Sequence, residues 1–264
     1  MNLLVILRAV RDPAGFTVNR KAQKIFVNRD NYICNPGDRN ALEAALQLAQ
    51  SQNERIGEGQ GGRVTVVAFG RQPAEMALRD ARAAGAARAI LVKDDAFMNA
   101  DAPVLANALQ RVVEHMGGVE LVLLGNEVLD ADLAQAGPRL AQALDWPFIA
   151  GAHQLSVNGL TLTAITRRPD GFHKLEAGLP AVVSVAVDSN KPRYAPGAQI
   201  INIYQAKDGV EVLTAGDLGL SEADLTPLTE RRGESFPPER ELGNRLEGSL
   251  DETATQLATV IRKS

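Results

Sequence analysis

The sequence predicts an α/β fold with a doubly wound parallel sheet, antiparallel additions and an extended C-terminal arm. Through the first 150 residues, apolar segments of strand length alternate with amphipathic segments of helical length. This β-α-β-α order is typical of a parallel sheet with right-handed crossovers. After Gly151 the segments become short and alternate in polarity, which indicates antiparallel strands. We therefore divide the chain into a main domain, residues 1–220, and an arm with a terminal helix, residues 221–264.

The first elements follow from their apolar patterns. Leu3–Val10 is short, branched and almost continuously apolar, which predicts one parallel strand buried on both faces. Phe16–Asn28 alternates around a polar centre and predicts a two-stranded ribbon. Asp38 is suited to cap a helix that extends to about Gln52. The apolar residues that repeat with helical spacing in that helix are Ala41, Leu42, Ala45, Leu46, Leu48 and Ala49.

Strands and helices then alternate regularly. The predicted strands are Val64–Phe69, Ala89–Val92, Glu120–Leu124 and Phe148–Ala150, and the predicted helices are Pro73–Ala84, Asp101–His115 and Ala131–Leu144. Further elements are Gln154–Val157 and Leu160–Thr166 as a hairpin around Asn158-Gly159, the buried strand Leu179–Val187, the exposed or partner-dependent linker Glu230–Glu241 and the helix Leu250–Arg262. Ligands of such sheets bind at the carboxyl ends of the strands.

Charge and cysteine content argue against several classes of protein. A formal net charge of -4 predicts no broad basic surface, so nucleic acid and anionic membranes are poor partners. No stretch approaches the length of a membrane span. Cys34 is the only cysteine, which excludes an internal disulfide and suits a reducing compartment. The start resembles neither a secretory signal nor an import leader, so we expect a cytoplasmic protein.

The motifs of common enzyme classes are misplaced or missing. Gly57, Gly59 and Gly62 match G-x-G-x-x-G, but they follow a predicted helix and precede a strand, the reverse of a dinucleotide fingerprint. The histidines, His115, His153 and His173, do not stand at metal-ligand spacing. The sequence contains neither a nucleophile elbow nor a P-loop. We therefore expect no metal site and no catalytic residues.

Two loop-to-helix junctions remain as the candidate site. Asn35-Pro36-Gly37-Asp38 precedes the first long helix, and Gly125–Ala136 follows the strand Glu120–Leu124. A helix amino end presents unpaired N–H groups and a partial positive charge, so it can bind a phosphate without a lysine. Asp130 and Asp132 would repel a phosphate, so they would instead cap the helix or hold ribose hydroxyls. Ordinary helix capping alone is the alternative explanation of this junction.

Several spaced motifs carry a resemblance to a known family. The signature N-P-x-D-x-x-A-[LIV]-E is matched from Asn35 to Glu43, and D-x-D-x-x-Q-x-G-P from Asp130 to Pro138. Leu179–Val183 matches LPAVV, and Asn190–Tyr194 matches N-x-P-R-Y. Over roughly residues 1–220 the chain thus resembles the beta subunit family of electron-transfer flavoproteins, including its nitrogen-fixation-associated relatives.

The resemblance implies a Rossmann-like fold that packs against a larger alpha subunit and catalyses no reaction itself. Such a chain binds AMP, or a second FAD in electron-bifurcating members, and helps the alpha subunit to hold the redox-active FAD. The other implied partners are flavin-dependent dehydrogenases and an electron acceptor, and residues 221–264 would pack on the alpha subunit. The implied cofactor contacts are Ile6, Asn35, Pro36, Gly37, Asp38, Phe69, Gly125, Asn126, Glu127, Val128, Leu129, Asp130, Ala131, Asp132, Leu133, Ala134, Gln135 and Ala136.

The chain departs from the family pattern at a few positions. Gly37 replaces an aromatic residue, Ala136 replaces a hydroxyl-bearing residue, and Asn126-Glu127 replaces Lys-Gln. The helix start Ala102-Pro103 differs from the threonine-containing sequence of bifurcating members, which favours AMP over FAD. The segment after Tyr194 lacks the leucine and the lysine-rich stretch with which typical members engage acyl-CoA dehydrogenases, so we expect a different dehydrogenase partner.

Two other classes of protein share the predicted sheet. A stand-alone adenine-nucleotide-binding module of the universal-stress type is shorter, and the extension Gly151–Ser264 argues against it. An adenylating ATP-pyrophosphatase needs a Ser-Gly-Gly loop after its first strand, where this chain has Arg8–Pro13. An electron carrier needs no acids or bases of its own because the flavin performs the redox chemistry.

Overall fold

The structure is a computed structural model that describes residues 1–57, 61–129, 135–206, 209–230, 232–233, 235–238, 243 and 245–262. The strands are β1 (Asn2–Ile6), β2 (Ala9–Arg11), β3 (Phe16–Asn19), β4 (Lys24–Val27), β5 (Tyr32–Cys34), β6 (Arg63–Phe69), β7 (Arg88–Val92), β8 (Leu121–Gly125), β9 (Phe148–Asn158), β10 (Thr161–Arg168), β11 (Gly171–Gly178), β12 (Ala181–Val185) and β13 (Glu211–Leu213). The helices are α1 (Pro36–Ile56), α2 (Gln72–Ala84), α3 (Ala102–Met116), α4 (Ala136–Leu144), α5 (Gly197–Gln205) and α6 (Leu250–Ile261).

A nine-stranded sheet organises the described part of the chain. Its strand order is β11-β10-β9-β12-β8-β1-β6-β7-β13. The strands from β9 to β13 in this order are parallel, whereas β10 and β11 extend the sheet as an antiparallel meander. This arrangement confirms the predicted doubly wound α/β fold with antiparallel additions. The chain passes outward from β1 in both directions, so the topological switch point lies between β1 and β8.

Helices cover both faces of the parallel strands, as the continuous apolar pattern of β1 predicts. Leu3 and Val5 pack on the face covered by α1 and α2. Leu4 and Ile6 pack on the face covered by α3 and α4. Successive side chains of a strand point to opposite faces, and none of these four is more than 4% exposed. Burial of one such side chain is worth about 1.5–3 kcal/mol.

The prediction of a single strand over Leu3–Val10 is wrong. β1 ends at Ile6, and β2 begins at Ala9 and pairs with β5 in a separate two-stranded sheet. The break lies at Arg8, because its side chain turns to the buried carboxylate of Asp38. The sequence also did not reveal β5, β11, α5 and β13, which are short or mostly exposed.

The prediction that Asp38 caps the first helix is also wrong. α1 begins two residues earlier, with Pro36 in its first turn and Asn35 as the N-cap residue. Proline is suited to this position because the first turn needs no N–H donor. The carboxylate of Asp38 is therefore available for other contacts.

Two further loop predictions are confirmed. β9 and β10 form the predicted hairpin, in which Asn158 pairs with Thr161 and Gly159 has a φ of +59° that favours glycine. α1 ends at Ile56 and β6 begins at Arg63, so the misplaced G-x-G-x-x-G follows a helix and precedes a strand.

Contacts divide the chain into two units. One comprises Met1–Val18 with Ile25–Glu230, and the other comprises Asn19–Lys24 with Arg231–Ser264. In the second unit α6 begins with a capping box, in which the side chains of Ser249 and Glu252 each accept a hydrogen bond from the other's backbone N–H. None of the described helices is long and apolar enough to cross a bilayer.

Candidate functional site

The two predicted junctions meet at the topological switch point. β1 and β8 are neighbours in the sheet, so their carboxyl ends lie side by side. The amino end of α1 approaches Gly125, the last residue of β8, so closely that a Cβ atom on Gly125 would lie 2.5 Å from the carbonyl carbon of Gly37. A Cβ atom on Gly37 would lie 3.1 Å from the carbonyl oxygen of Glu127. Glycine at both positions lets the two backbones touch.

A buried ion pair fastens the junctions together; we name it the Arg8–Asp38 clasp. Asp38 is fully buried, and the side chain of Arg8 is 11% exposed. The Arg8 Nε and backbone N donate to Asp38 Oδ2 over 2.8 and 3.0 Å, and Nη2 donates to Oδ1. Gly125 N donates to Asp38 Oδ1 over 2.8 Å, and Arg8 Nη2 donates to the Gly125 carbonyl over 3.1 Å. One carboxylate thus joins the end of β1, the start of α1 and the end of β8.

Asn35 holds the loop that follows Gly125. Its side chain is buried, its Nδ2 donates to the carbonyl of Glu127 over 2.8 Å, and its Oδ1 accepts from Leu129 N over 3.3 Å. Both ends of the amide are thus engaged by the loop. The side chains of Asn35 and Asp38 therefore shape the junctions, and a direct ligand contact by Asn35, Pro36, Gly37 or Asp38 stays a prediction.

The start of the same loop is fixed to the neighbouring strands. Asn126 N donates to the carbonyl of Val185 over 2.9 Å, and Asn126 Oδ1 accepts from Ser184 Oγ over 2.9 Å. Ser184 Oγ in turn accepts from Gly151 N over 3.0 Å. Beyond Asn126 the loop rises to the surface, where Glu127 and Leu129 are exposed and Val128 is half-buried.

Apolar side chains end the strands at this edge of the sheet, on the face that α3 covers. Ile6 ends β1 and is 4% exposed, and Phe69 ends the neighbouring strand β6. The Phe69 ring packs against that of Phe97 with a centroid separation of 4.9 Å. The sequence analysis did not identify Phe97. Its position just after β7, at the same edge of the sheet, could have indicated that it lies near the candidate site.

The second junction ends at α4. Gln135 is its exposed N-cap residue and Ala136 its buried first residue. The Gln135 Oε1 accepts from Arg139, one turn later, over 3.3 Å. The predicted contacts Asp130, Ala131, Asp132, Leu133 and Ala134 lie outside the described residues, so their capping or ribose-binding role stays a prediction.

The described residues around the junctions include one thiol, that of Cys34. Among the residues that the structure describes, no group of three or more His, Cys, Asp or Glu side chains could hold a metal ion. Cys34 directly precedes the first junction. Burial raises the pKa of its thiol far above the ordinary value, and the negative charge of Asp38 raises this pKa further. A neutral thiol is a weak nucleophile.

Residues 23–214 match the family model described as the electron transfer flavoprotein domain, which is more than half of the chain. The chain belongs to the electron transfer flavoprotein family. The resemblance seen in the sequence motifs is therefore confirmed.

Curated relatives cover most of this electron transfer flavoprotein chain. It is 34% identical to the electron transfer flavoprotein subunit beta of Thermoanaerobacterium thermosaccharolyticum, over 89% of this chain and 92% of the relative. It is 29% identical to the caffeyl-CoA reductase-Etf complex subunit CarD of Acetobacterium woodii, over 100% and 98%. It is 30% identical to protein FixA of Azorhizobium caulinodans, over 84% and 78%. These relatives favour an electron-transfer subunit over a universal-stress module.

Proposed function

We propose that this chain is the beta subunit of a heterodimeric electron-transfer flavoprotein. In this role it binds AMP, helps an alpha subunit to hold the redox-active FAD, and carries electrons without catalysing a reaction of its own. The single observation that carries the proposal is the contact between the two junctions. The Arg8–Asp38 clasp and the Asn35 amide hold the amino end of α1 against the Gly125 loop.

The charge balance of the junctions supports a phosphate held by backbone groups. Asp38 neutralises the positive charge of Arg8, so the phosphate would depend on backbone N–H groups more than on this arginine. The amino ends of α1 and α4 flank the same loop, and helix amino ends attract anions through their N–H groups and dipoles. Phe69 is half-buried at the end of β6, and its ring would suit contact with an adenine ring at this edge of the sheet.

The amino end of α3 supports AMP rather than a second FAD. Pro103 lies in its first turn and has no N–H, while Val104 N donates to the cap residue Asp101 over 3.2 Å. These two positions therefore offer no free donor to a longer dinucleotide. The missing hydroxyl at Ala136 would weaken AMP binding by one hydrogen bond, about 1 kcal/mol.

Exposed apolar surfaces support partner binding. Leu250 and Leu257 of α6 are 86% and 50% exposed, so we assign the C-terminal arm to the alpha-subunit interface. α5 exposes Ile201 and Tyr204 and contains no lysine, which supports a dehydrogenase partner unlike the acyl-CoA dehydrogenases. Cys34 is the only cysteine of the sequence and is a free thiol, which suits the cytoplasm.

The test is to express the chain with its alpha subunit and identify every released cofactor by mass spectrometry. The expected result is one AMP and one FAD per heterodimer, and adenine nucleotide without flavin from the chain alone. Two FAD per heterodimer would reject AMP, and a folded heterodimer that releases no adenine nucleotide beyond its single FAD would reject the site.

A pair of variants locates the site. Gln135→Leu at the amino end of α4 should reduce AMP occupancy, because a bulky apolar side chain would face the phosphate. Gln142→Leu, at an exposed position of the same helix, is the matched control and should leave occupancy unchanged. Equal occupancy in both variants would remove α4 from the site.

A further inference from the structure

Asp101, at the amino end of α3, accepts hydrogen bonds from two distant parts of the chain. Its Oδ1 accepts from Val104 N, the ordinary N-cap bond. Its Oδ2 accepts from Leu228 N over 2.8 Å, from Thr229 N over 3.0 Å and from Thr229 Oγ1 over 3.1 Å. The two oxygens thus have separate roles, since one caps the helix and the other holds residues 228–229.

The carboxylate is what holds residues 228–229 in place. Leu228 is 80% exposed, so burial of its side chain does not fix it. Within the part of the chain that the structure describes, Leu228 and Thr229 make no other hydrogen bond. Burial of Asp101 opposes its ionisation, but the bonds from Val104, Leu228 and Thr229 outweigh this and hold its pKa below the ordinary value. Bonds to an ionised acceptor are about twice as strong as neutral ones.

Asp101 itself sits on a rigid support. α3 buries Val104, Leu105, Ala108 and Leu109 against the sheet. Residues 228–229 lie within the C-terminal arm, residues 221–264, and directly precede Glu230, the last residue of the first unit. The fixed helix end therefore holds the arm at residues 228–229, ahead of the part that carries α6.

We propose that Asp101 is the positioning residue of the C-terminal arm and that, by fixing residues 228–229, it strengthens binding of the alpha subunit. Tethering the arm at these residues reduces the conformational freedom that the arm loses when it binds. The partner part of this inference rests on the proposed function, in which the arm contributes to the alpha-subunit interface.

Two variants separate this role from helix capping. Asp101→Ser keeps an effective N-cap, because serine is among the best N-cap residues, but a single hydroxyl cannot also hold residues 228–229. Thr229→Val removes one donor to Asp101 and leaves the cap intact. Thr226→Val is the matched control, because the Thr226 hydroxyl donates to the carbonyl of Glu222 on the same segment and does not contact Asp101.

The first measurement is amide hydrogen exchange on the full chain. In Asp101→Ser, the Leu228 and Thr229 amides should exchange about tenfold faster or more, while the α3 core amides should not change. The second measurement is dissociation of the purified heterodimer with the alpha subunit. Dissociation should be about tenfold faster in Asp101→Ser and about threefold faster in Thr229→Val. These changes in rate correspond to the free energy of one or two hydrogen bonds. Thr226→Val should match the wild type.

Each outcome decides part of the inference. Unchanged exchange at Leu228 and Thr229 would overturn the anchoring role itself. Faster exchange with a wild-type dissociation rate would overturn the link to partner binding. Failure of the wild-type chain to form a heterodimer would instead refute the proposed function and with it the partner link, while the exchange result would still decide whether Asp101 holds the arm.

Discussion

Replacing Asp38 with asparagine tests whether the Arg8–Asp38 clasp determines the shape of the site. The substitution preserves the shape of the side chain but removes its charge and turns one oxygen into an NH2 group. In the native protein both carboxylate oxygens accept, Oδ1 from Gly125 N and Arg8 Nη2, and Oδ2 from Arg8 Nε and N. Whichever way the new amide is turned, its NH2 group faces an N–H donor.

The expected loss follows from this geometry. Arg8 is left without its counterion at 11% exposure, and breaking a buried ion pair by removing one partner costs about 3–5 kcal/mol. The free energy of unfolding of a domain is about 5–15 kcal/mol, so the variant should fold but with a much smaller free energy of unfolding. At roughly 2–4 °C per kcal/mol for a domain of this size, its melting temperature should fall by about 10 °C.

Urea denaturation at pH 7 measures the loss of stability in the Asp38→Asn variant. AMP occupancy of the heterodimer measures the effect of the substitution on the site. Asp95→Asn is the control, because Asp95 also pairs with an arginine, Arg71, but both side chains are exposed. Exposed pairs contribute little, so this control should not change stability measurably. An Asp38→Asn variant with wild-type stability and wild-type AMP occupancy would refute the role given to the clasp.

Three further predictions concern the surroundings of the clasp. Gly125→Ala should cost at least about 3 kcal/mol in urea denaturation and Gly37→Ala about 1 kcal/mol, because a Cβ atom would lie 2.5 Å from the facing backbone at Gly125 but 3.1 Å from it at Gly37. Cys34 in the native chain should react with iodoacetamide at pH 8 at least about 100-fold more slowly than in urea, because burial raises the pKa of its thiol. Glu43→Gln should lower stability at pH 7 by about 1 kcal/mol, because it weakens the hydrogen bonds from Arg193. Burial opposes ionisation of Glu43, but these bonds hold its pKa below 4.5. The difference in stability between the wild type and the variant should therefore be complete above about pH 4.5. It should disappear as the pH falls through the folded-state pKa of Glu43.

These predictions have direct controls. Gly178→Ala adds a Cβ atom where no other atom lies within 4 Å and should be neutral, so equal losses at Gly125 and Gly178 would contradict the steric explanation. Equal rates of Cys34 modification in the native and unfolded states would contradict its burial. A Glu43→Gln defect that persists at a pH below the folded-state pKa of Glu43 would show that packing, and not the ion pair, is lost.

The parallel core could be predicted from the sequence because burial on both faces leaves a direct pattern. Leu3, Leu4, Val5 and Ile6 are all apolar, and the sheet buries every one of them. The pattern did not reveal where that strand ends, because Leu7 and Val10 are also buried and apolar. Only the long-range contact between Arg8 and Asp38 sets the break, and a contact across 30 residues has no local signal.

The location of the candidate site could be predicted from the sequence, but the roles of its side chains could not. The order of strands and helices brings both junctions to one edge of the sheet, so their meeting could be expected. The roles of individual side chains could not, because Asp38 has the residue type and spacing of a helix cap while its carboxylate serves Arg8 and Gly125. The three-residue strand β5 is also invisible locally, since it forms only by pairing with β2.

The signature N-P-x-D can be understood as a set of requirements on backbone shape. Asn35 holds the Gly125 loop, Pro36 starts α1 without needing a donor, and Asp38 joins Arg8 to Gly125. All three side chains serve to build the junction. A phosphate would therefore interact with the backbone N–H groups at the helix amino ends. Affinity for the nucleotide should therefore depend on the relative position of two backbone segments more than on any one side chain. Substitutions that loosen the clasp should weaken AMP binding because they displace these two backbone segments.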